Sequence, residues 1–121
     1  MKRIVPLLVM GAIGAAVFLA FSPFAGARST AAQVTVIKVT AKEYKFILSK
    51  KSARHGKVTF KVVNKGKIAH DFKIMGKKTK TLRPNKSATL TVTLKKGKKY
   101  RYICTIDSHA QFGMKGTFRA T

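Results

Sequence analysis

From about residue 33 onward the chain is a series of short segments in which apolar and polar residues alternate, and this two-residue period is what most limits its fold. Side chains of an extended strand point alternately to opposite faces, so such a segment has one face to bury and one to leave in water. The pattern recurs at Val34–Val39, Tyr44–Leu48, Val58–Val63, Phe72–Ile74, Thr89–Leu94, Tyr100–Cys104 and Lys115–Ala120. Most are rich in the β-branched and aromatic residues that suit a pleated surface. Turn signals separate them: Asn64-Lys65-Gly66, Gly76 and Lys95-Lys96-Gly97. No segment shows a helical period. Seven short strands punctuated this way predict one all-β sandwich or barrel.

The first residues obey a different rule. Lys2 and Arg3 precede an apolar run, Ile4 to Phe21, which leads to Ala25-Gly26-Ala27. A basic start, an apolar stretch and an Ala-x-Ala end are the parts of a secretory signal peptide. The expected organisation is therefore a signal at 1–27, a disordered lead at 28–32 and one domain at 33–121. Ala31 or Ala32 is an alternative cleavage point, and an uncleaved anchor is the other reading of a run this long. Either way the domain is expected outside the cytoplasm, periplasmic or extracellular, or held at the outer face of the cytoplasmic membrane. Removing 27 of 121 residues leaves 94, enough for one modest core.

Charge narrows the partners. Twenty-six Lys and Arg oppose three acids, Glu43, Asp71 and Asp107. Without Lys2 and Arg3, 24 basic residues and three acids leave a net +21. Such a field attracts anionic partners and surfaces and repels copies of itself, which predicts a monomer and allows contact with a membrane surface. Lysines at turns and on outer faces also discourage edge-to-edge pairing.

The single cysteine carries the chemistry. An unpaired Cys in an exported chain is a buried thiol, half of an intermolecular disulfide or a metal ligand, and its neighbours favour the last. Cys104, His109 and Met114 fall on one loop between two strands as C-x4-H-x4-M, and Ile68-Ala69-His70-Asp71-Phe72 brings a second imidazole from another strand. Taken singly, Cys104 is a small hydrophobe, each His a surface or capping residue and Met114 core filler. Taken together they are the donor set of a type 1 copper site: two imidazoles and a thiolate in a plane, with a weak axial thioether. Soft sulfur suits Cu(I) and imidazole suits both oxidation states, so electrons can pass with little rearrangement. His55 lies in a turn and Met75 follows a strand; neither is assigned to the site.

These motifs resemble those of the cupredoxin, or blue copper, family, especially small plastocyanin-like members and EfeO-type cupredoxin-like domains. The resemblance rests on Gly56–Asn64, His70-Asp71-Phe72, Tyr102-Ile103-Cys104 and Gly113–Phe118. It implies an antiparallel Greek-key sandwich of seven or eight strands with copper at one end. By the family's roles His70 is the buried imidazole ligand and Cys104 the strongly bound thiolate. His109 is the imidazole with its edge near the surface, and Met114 the long axial ligand. It also implies that Asp71 bonds across to the ligand loop near Thr105. Many relatives carry Pro-Gly before the second His, where this chain has Asp107-Ser108, which leaves the loop path open.

The expected function is electron transport through the His109 edge and the weakly polar surface of Ala110, Gln111, Phe112 and Gly113, to a redox partner with an acidic docking face. A copper carrier using the same ligands is the alternative. A nucleic-acid-binding barrel fits the charge but not the export signal or the lack of a stacking motif on the strands. With three acids and both site histidines taken by metal, no catalytic constellation remains, and the chain is not expected to be an enzyme.

Overall fold

The computed structural model describes residues 33–121 and three isolated positions, 11, 14 and 16. The signal peptide and the lead at 28–32 lie outside the described residues.

Nine strands form two sheets. They are β1 (Thr35–Lys42), β2 (Lys45–Leu48), β3 (Ser52–Ala53), β4 (Gly56–Asn64), β5 (Lys73–Ile74), β6 (Lys77–Lys78), β7 (Ser87–Leu94), β8 (Lys99–Ile103) and β9 (Lys115–Ala120). One sheet has the order β2-β1-β4-β7 and the other β3-β9-β8-β5-β6. The seven predicted segments are all present. The two unexpected strands, β3 and β6, are two residues long, too short to show an alternation. The expectation of a wholly antiparallel sandwich is corrected: β1 runs parallel to β4, and β3 parallel to β9. Strand direction follows from which ends the connections join, and alternation carries no information about that.

Burial decides which face of each strand is inside. In β4, Val58, Phe60 and Val62 point inward while Lys57 and Lys61 are exposed. In β1 the inward set is Ile37, Val39 and Ala41, and Val34 and Val36 stay about half exposed. Because β-branched residues occupy both faces there, only packing chooses between the two registers. Phe60 sits at the centre, edge-on to Phe118 at 5.2 Å and tilted against Phe72 at 5.3 Å. Leu82 completes the core from a loop. Tyr102 stacks on Phe72 and lies across Gly116, its strand partner. A Cβ on Gly116 would meet the Tyr102 Oη at 2.2 Å, so glycine is what lets this ring lie flat inside the sandwich.

Strand directions define two poles. β1 and β4 run toward Lys42 and Asn64, and β8 runs toward Cys104. The large apolar cluster ends there and gives way to a small one of Ala41, Cys104 and Met114. β9 runs back from Met114 to the opposite pole, where the β7–β8 turn and β3 lie.

Candidate metal centre

Three stretches of chain meet at the first pole. His70 precedes β5 and is fixed by a two-way backbone bridge with Leu82: its N–H donates to the Leu82 carbonyl (3.0 Å) and its carbonyl accepts from the Leu82 N–H (2.7 Å). Cys104 follows β8, where its N–H donates to the Met114 carbonyl at 3.0 Å. Residues 106–113 wind through consecutive turns. The His109 N–H donates to Ile106, and the Met114 N–H donates back to the His109 carbonyl. Asp107 adopts a left-handed conformation, φ 42°, so the loop without Pro-Gly turns through Asp107-Ser108.

The side chains converge. The Nδ1 atoms of His70 and His109 face each other at 3.2 Å, and the Cys104 Sγ lies 3.6 Å from His109 Nδ1. One ligand atom from each of the three residues lies within 4.8 Å of the others, and all three residues are buried. Metal–imidazole bonds are about 2.0 Å and metal–thiolate bonds about 2.3 Å, so donors around one ion stand roughly 3 to 4 Å apart. The spacing fits an ion, and the two nitrogens and one sulfur fit copper or zinc. Met114 is fully buried in the cluster with Cys104, and a thioether beside such a trio favours copper. Burial holds the Cys104 thiol above its ordinary range; a cation at the trio would draw off that proton.

The residues behind the trio hold it in place. The Thr105 N–H donates to Asp71 Oδ1 at 2.6 Å, and the Thr105 hydroxyl donates to Asp71 Oδ2. This is the cross-link to the ligand loop that the resemblance implies for Asp71, and it resolves the cost of a buried acid. A second acid was not foreseen. Glu43, just after β1, places Oε1 3.0 Å from His70 Nε2. The same oxygen accepts the N–H groups of Lys67 (2.8 Å) and Ile68 (3.1 Å). The His70 bond, helped by those N–H groups, draws the Glu43 carboxyl from 4.5 down to about 2. A carboxylate only accepts, so Nε2 carries the hydrogen and Nδ1 presents its lone pair to the trio. Gly66 makes the room: a Cβ there would lie 2.2 Å from Glu43 Oε1 and 3.0 Å from His70 Nε2. Nothing in sequence spacing could reveal this contact, since 27 residues separate Glu43 from His70.

His109 has a different cover. Tyr44 lies against it, ring centroids 5.2 Å apart, and Phe112 against Tyr44 at 5.0 Å. His109 is 6% exposed and Phe112 65% exposed. The two residues left out of the site lie away from it. Exposed His55 bonds through Nδ1 to the Thr121 carbonyl, and Met75 is exposed in the β5–β6 turn.

The family model of the cupredoxin-like domain matches residues 10–118. The chain belongs to the cupredoxin-like domain family. No curated protein is similar to it in sequence. Among solved structures, the domain is similar to dithionite-reduced auracyanin from the photosynthetic bacterium Roseiflexus castenholzii. That likeness has a TM-score of 0.62 at 20% identity and covers 72% of this chain and 97% of the other. It is similar to auracyanin A, a "blue" copper protein from the green thermophilic photosynthetic bacterium Chloroflexus aurantiacus, with a TM-score of 0.61 at 17% identity over 74% and 100% of the two chains. For auracyanin B the score is 0.59 at 19% identity, over 74% and 89%. At these identities the likeness establishes the cupredoxin-like fold.

Proposed function

We propose that this cupredoxin-like domain holds one copper ion through His70, Cys104, His109 and Met114 and carries single electrons outside the cytoplasm. The observation that supports this most directly is the convergence of two imidazole Nδ1 atoms and the one thiol of the chain at a buried point. Family membership and the fold shared with a "blue" copper protein point the same way. Copper bound there supplies a one-electron couple, Cu(II)/Cu(I).

The protein's own groups supply the rest. Glu43 fixes the His70 ring through Nε2, and Asp71 fixes the start of the ligand loop through Thr105. Donors held this way keep one arrangement when the charge at their centre changes. The buried cluster of Ala41, Cys104 and Met114 excludes water from the sulfur side. His109 keeps 6% of its surface exposed where His70 keeps none, and it lies against Tyr44, which Phe112 covers in turn, so electrons enter and leave at that edge. Exposed Phe112 and its neighbours form a small docking patch, as redox encounters require, and the surrounding lysines steer a partner with an acidic face. A closed set of four donors favours retention of the metal over delivery.

The test is a visible spectrum of the purified domain after addition of Cu(II). An intense thiolate-to-copper band, reversibly bleached by a one-electron reductant and absent in Cys104→Ser, is expected. A colourless protein, or a band that survives Cys104→Ser, would refute the assignment.

A further inference from the structure

Charge is not spread evenly over the sandwich. All three acidic side chains lie at the metal-centre pole: Glu43 on His70, Asp71 on Thr105 and Asp107 in the ligand loop. The opposite pole has none. There the ends of β3, β8 and β9 are tied together, with the Arg119 N–H on the Lys51 carbonyl and the Ala120 N–H on the Lys98 carbonyl. Lys99 and Arg119 are direct cross-strand partners, and both are exposed. Like charges placed opposite each other weaken a sheet, and among the described residues no acid lies within ion-pair distance of either. Lys51, Lys99 and Arg119 flank an open cleft of about 540 Å³ that Ser52 and Thr117 also line. The adjoining turn adds exposed Lys95, Lys96 and Lys98. Cations and hydroxyls around a shallow cleft match a phosphate monoester or diester, which accepts hydrogen bonds from both.

We propose that this pole is a docking surface for anionic phospholipid headgroups, and that it seats the domain on a membrane with the metal centre turned away. One further observation favours a bilayer over another polyanion. The chain enters the domain at this pole, and in the sequence only eleven residues, 22–32, separate Gln33 from the apolar run that ends at Phe21. Eleven residues reach at most about 40 Å, so a run lodged in a bilayer would keep the domain at the lipid with this pole at the root of the tether, and the cations then choose the face that meets the headgroups. Each cation close to an anionic leaflet strengthens binding about fivefold at moderate salt. The proposal does not depend on which ion the metal centre holds.

All the described core side chains come from residues 37–120, so the domain contains its own core and can be tested without the apolar run. Metal-free domain is sedimented with vesicles of mixed phosphatidylglycerol and phosphatidylcholine, and with phosphatidylcholine alone. Binding to the anionic vesicles only is expected. The triple variant Lys51→Ser, Lys99→Ser, Arg119→Ser should weaken it by roughly tenfold or more. Should that variant fold poorly, Lys95→Ser, Lys96→Ser, Lys98→Ser in the turn removes the same charge outside the core and should act in the same direction. The control is Lys42→Ser, Lys45→Ser, Lys65→Ser at the metal-centre pole, which should weaken binding by less than about threefold. Equal weakening by both sets would mean that net charge alone attracts the vesicles and would overturn the proposal. So would equal binding to neutral vesicles, or binding to heparin with none to anionic vesicles.

Discussion

At the scale of single residues, Glu43 is the group whose role the structure alone discloses. One of its oxygens receives the His70 ring and two backbone N–H groups. Its carboxyl is drawn down to about 2, chiefly by the His70 bond, so it is an anion at any pH near neutrality. It thereby orients the ring and places a negative charge behind it. Loss of an outer partner to a ligating His commonly weakens metal binding about 10- to 100-fold. Glu43→Gln should accordingly keep the thiolate band but lower copper affinity by roughly tenfold, as read by competition with a chelator. Affinity unchanged within error would show that Glu43 merely closes the loop. Asp71 contrasts with it. Its partnership with the ligand loop was legible from the resemblance, because Asp71 directly follows His70 and Cys104-Thr105 opens the loop. Glu43 offered no such local cue, because its contact is made entirely by tertiary folding.

At the scale of elements, the connection from β4 to His70 is organised by Asn64. The sequence marks Asn64-Lys65-Gly66 as a turn, and it is one, but Asn64 is also fully buried. Its Nδ2 donates to the carbonyls of Ile68 and Leu82, both at 2.8 Å, and its Oδ1 accepts from the Gly66 N–H. Asn64 therefore ties the His70 loop both to itself and to the segment that pairs with His70. Asn64→Ala strands the Ile68 carbonyl and the Gly66 N–H, while the Leu82 carbonyl keeps the His70 N–H, and groups left without a hydrogen bond cost about 1 to 3 kcal/mol each. A loss of roughly 2 to 3 kcal/mol in urea unfolding is expected, together with weaker copper binding. A variant as stable as the parent would remove Asn64 from this role. The strands themselves were legible wherever alternation ran for four residues or more, as in β4 and β7. The pairs β3 and β6 were not, because two residues contain no period; β5, equally short, was read only through the flanking Phe72.

The whole molecule is governed by an excess of positive charge that plays no part in the core. The charge sets the encounter with other molecules. Oxidation of the reduced copper form by a small anionic oxidant should therefore slow as salt rises, since surface charges are screened beyond about 8 Å at physiological ionic strength. A small cationic oxidant should show the opposite slope. Stopped-flow traces over a range of salt check both, and a flat response to salt for the anionic oxidant would deny the lysines a steering role. Lysines lie at both ends, but Glu43, Asp71 and Asp107 all lie at the metal-centre pole, and this gives the sandwich two unlike ends. That separation is invisible in the composition, where the three acids stand at unrelated places along the chain.

By itself the amino-acid order determined the all-β class and pointed to His70, Cys104 and His109, the side chains that meet at one buried point, because alternation and residue chemistry are local properties that need no partner to be read. Strand direction, the inward choice of Ile37 over Val36, the carboxylate behind His70 and the gathering of all three acids at one pole were decided only when distant segments packed together. Each depends on what a side chain meets across space, and a residue's neighbours along the chain do not contain that information.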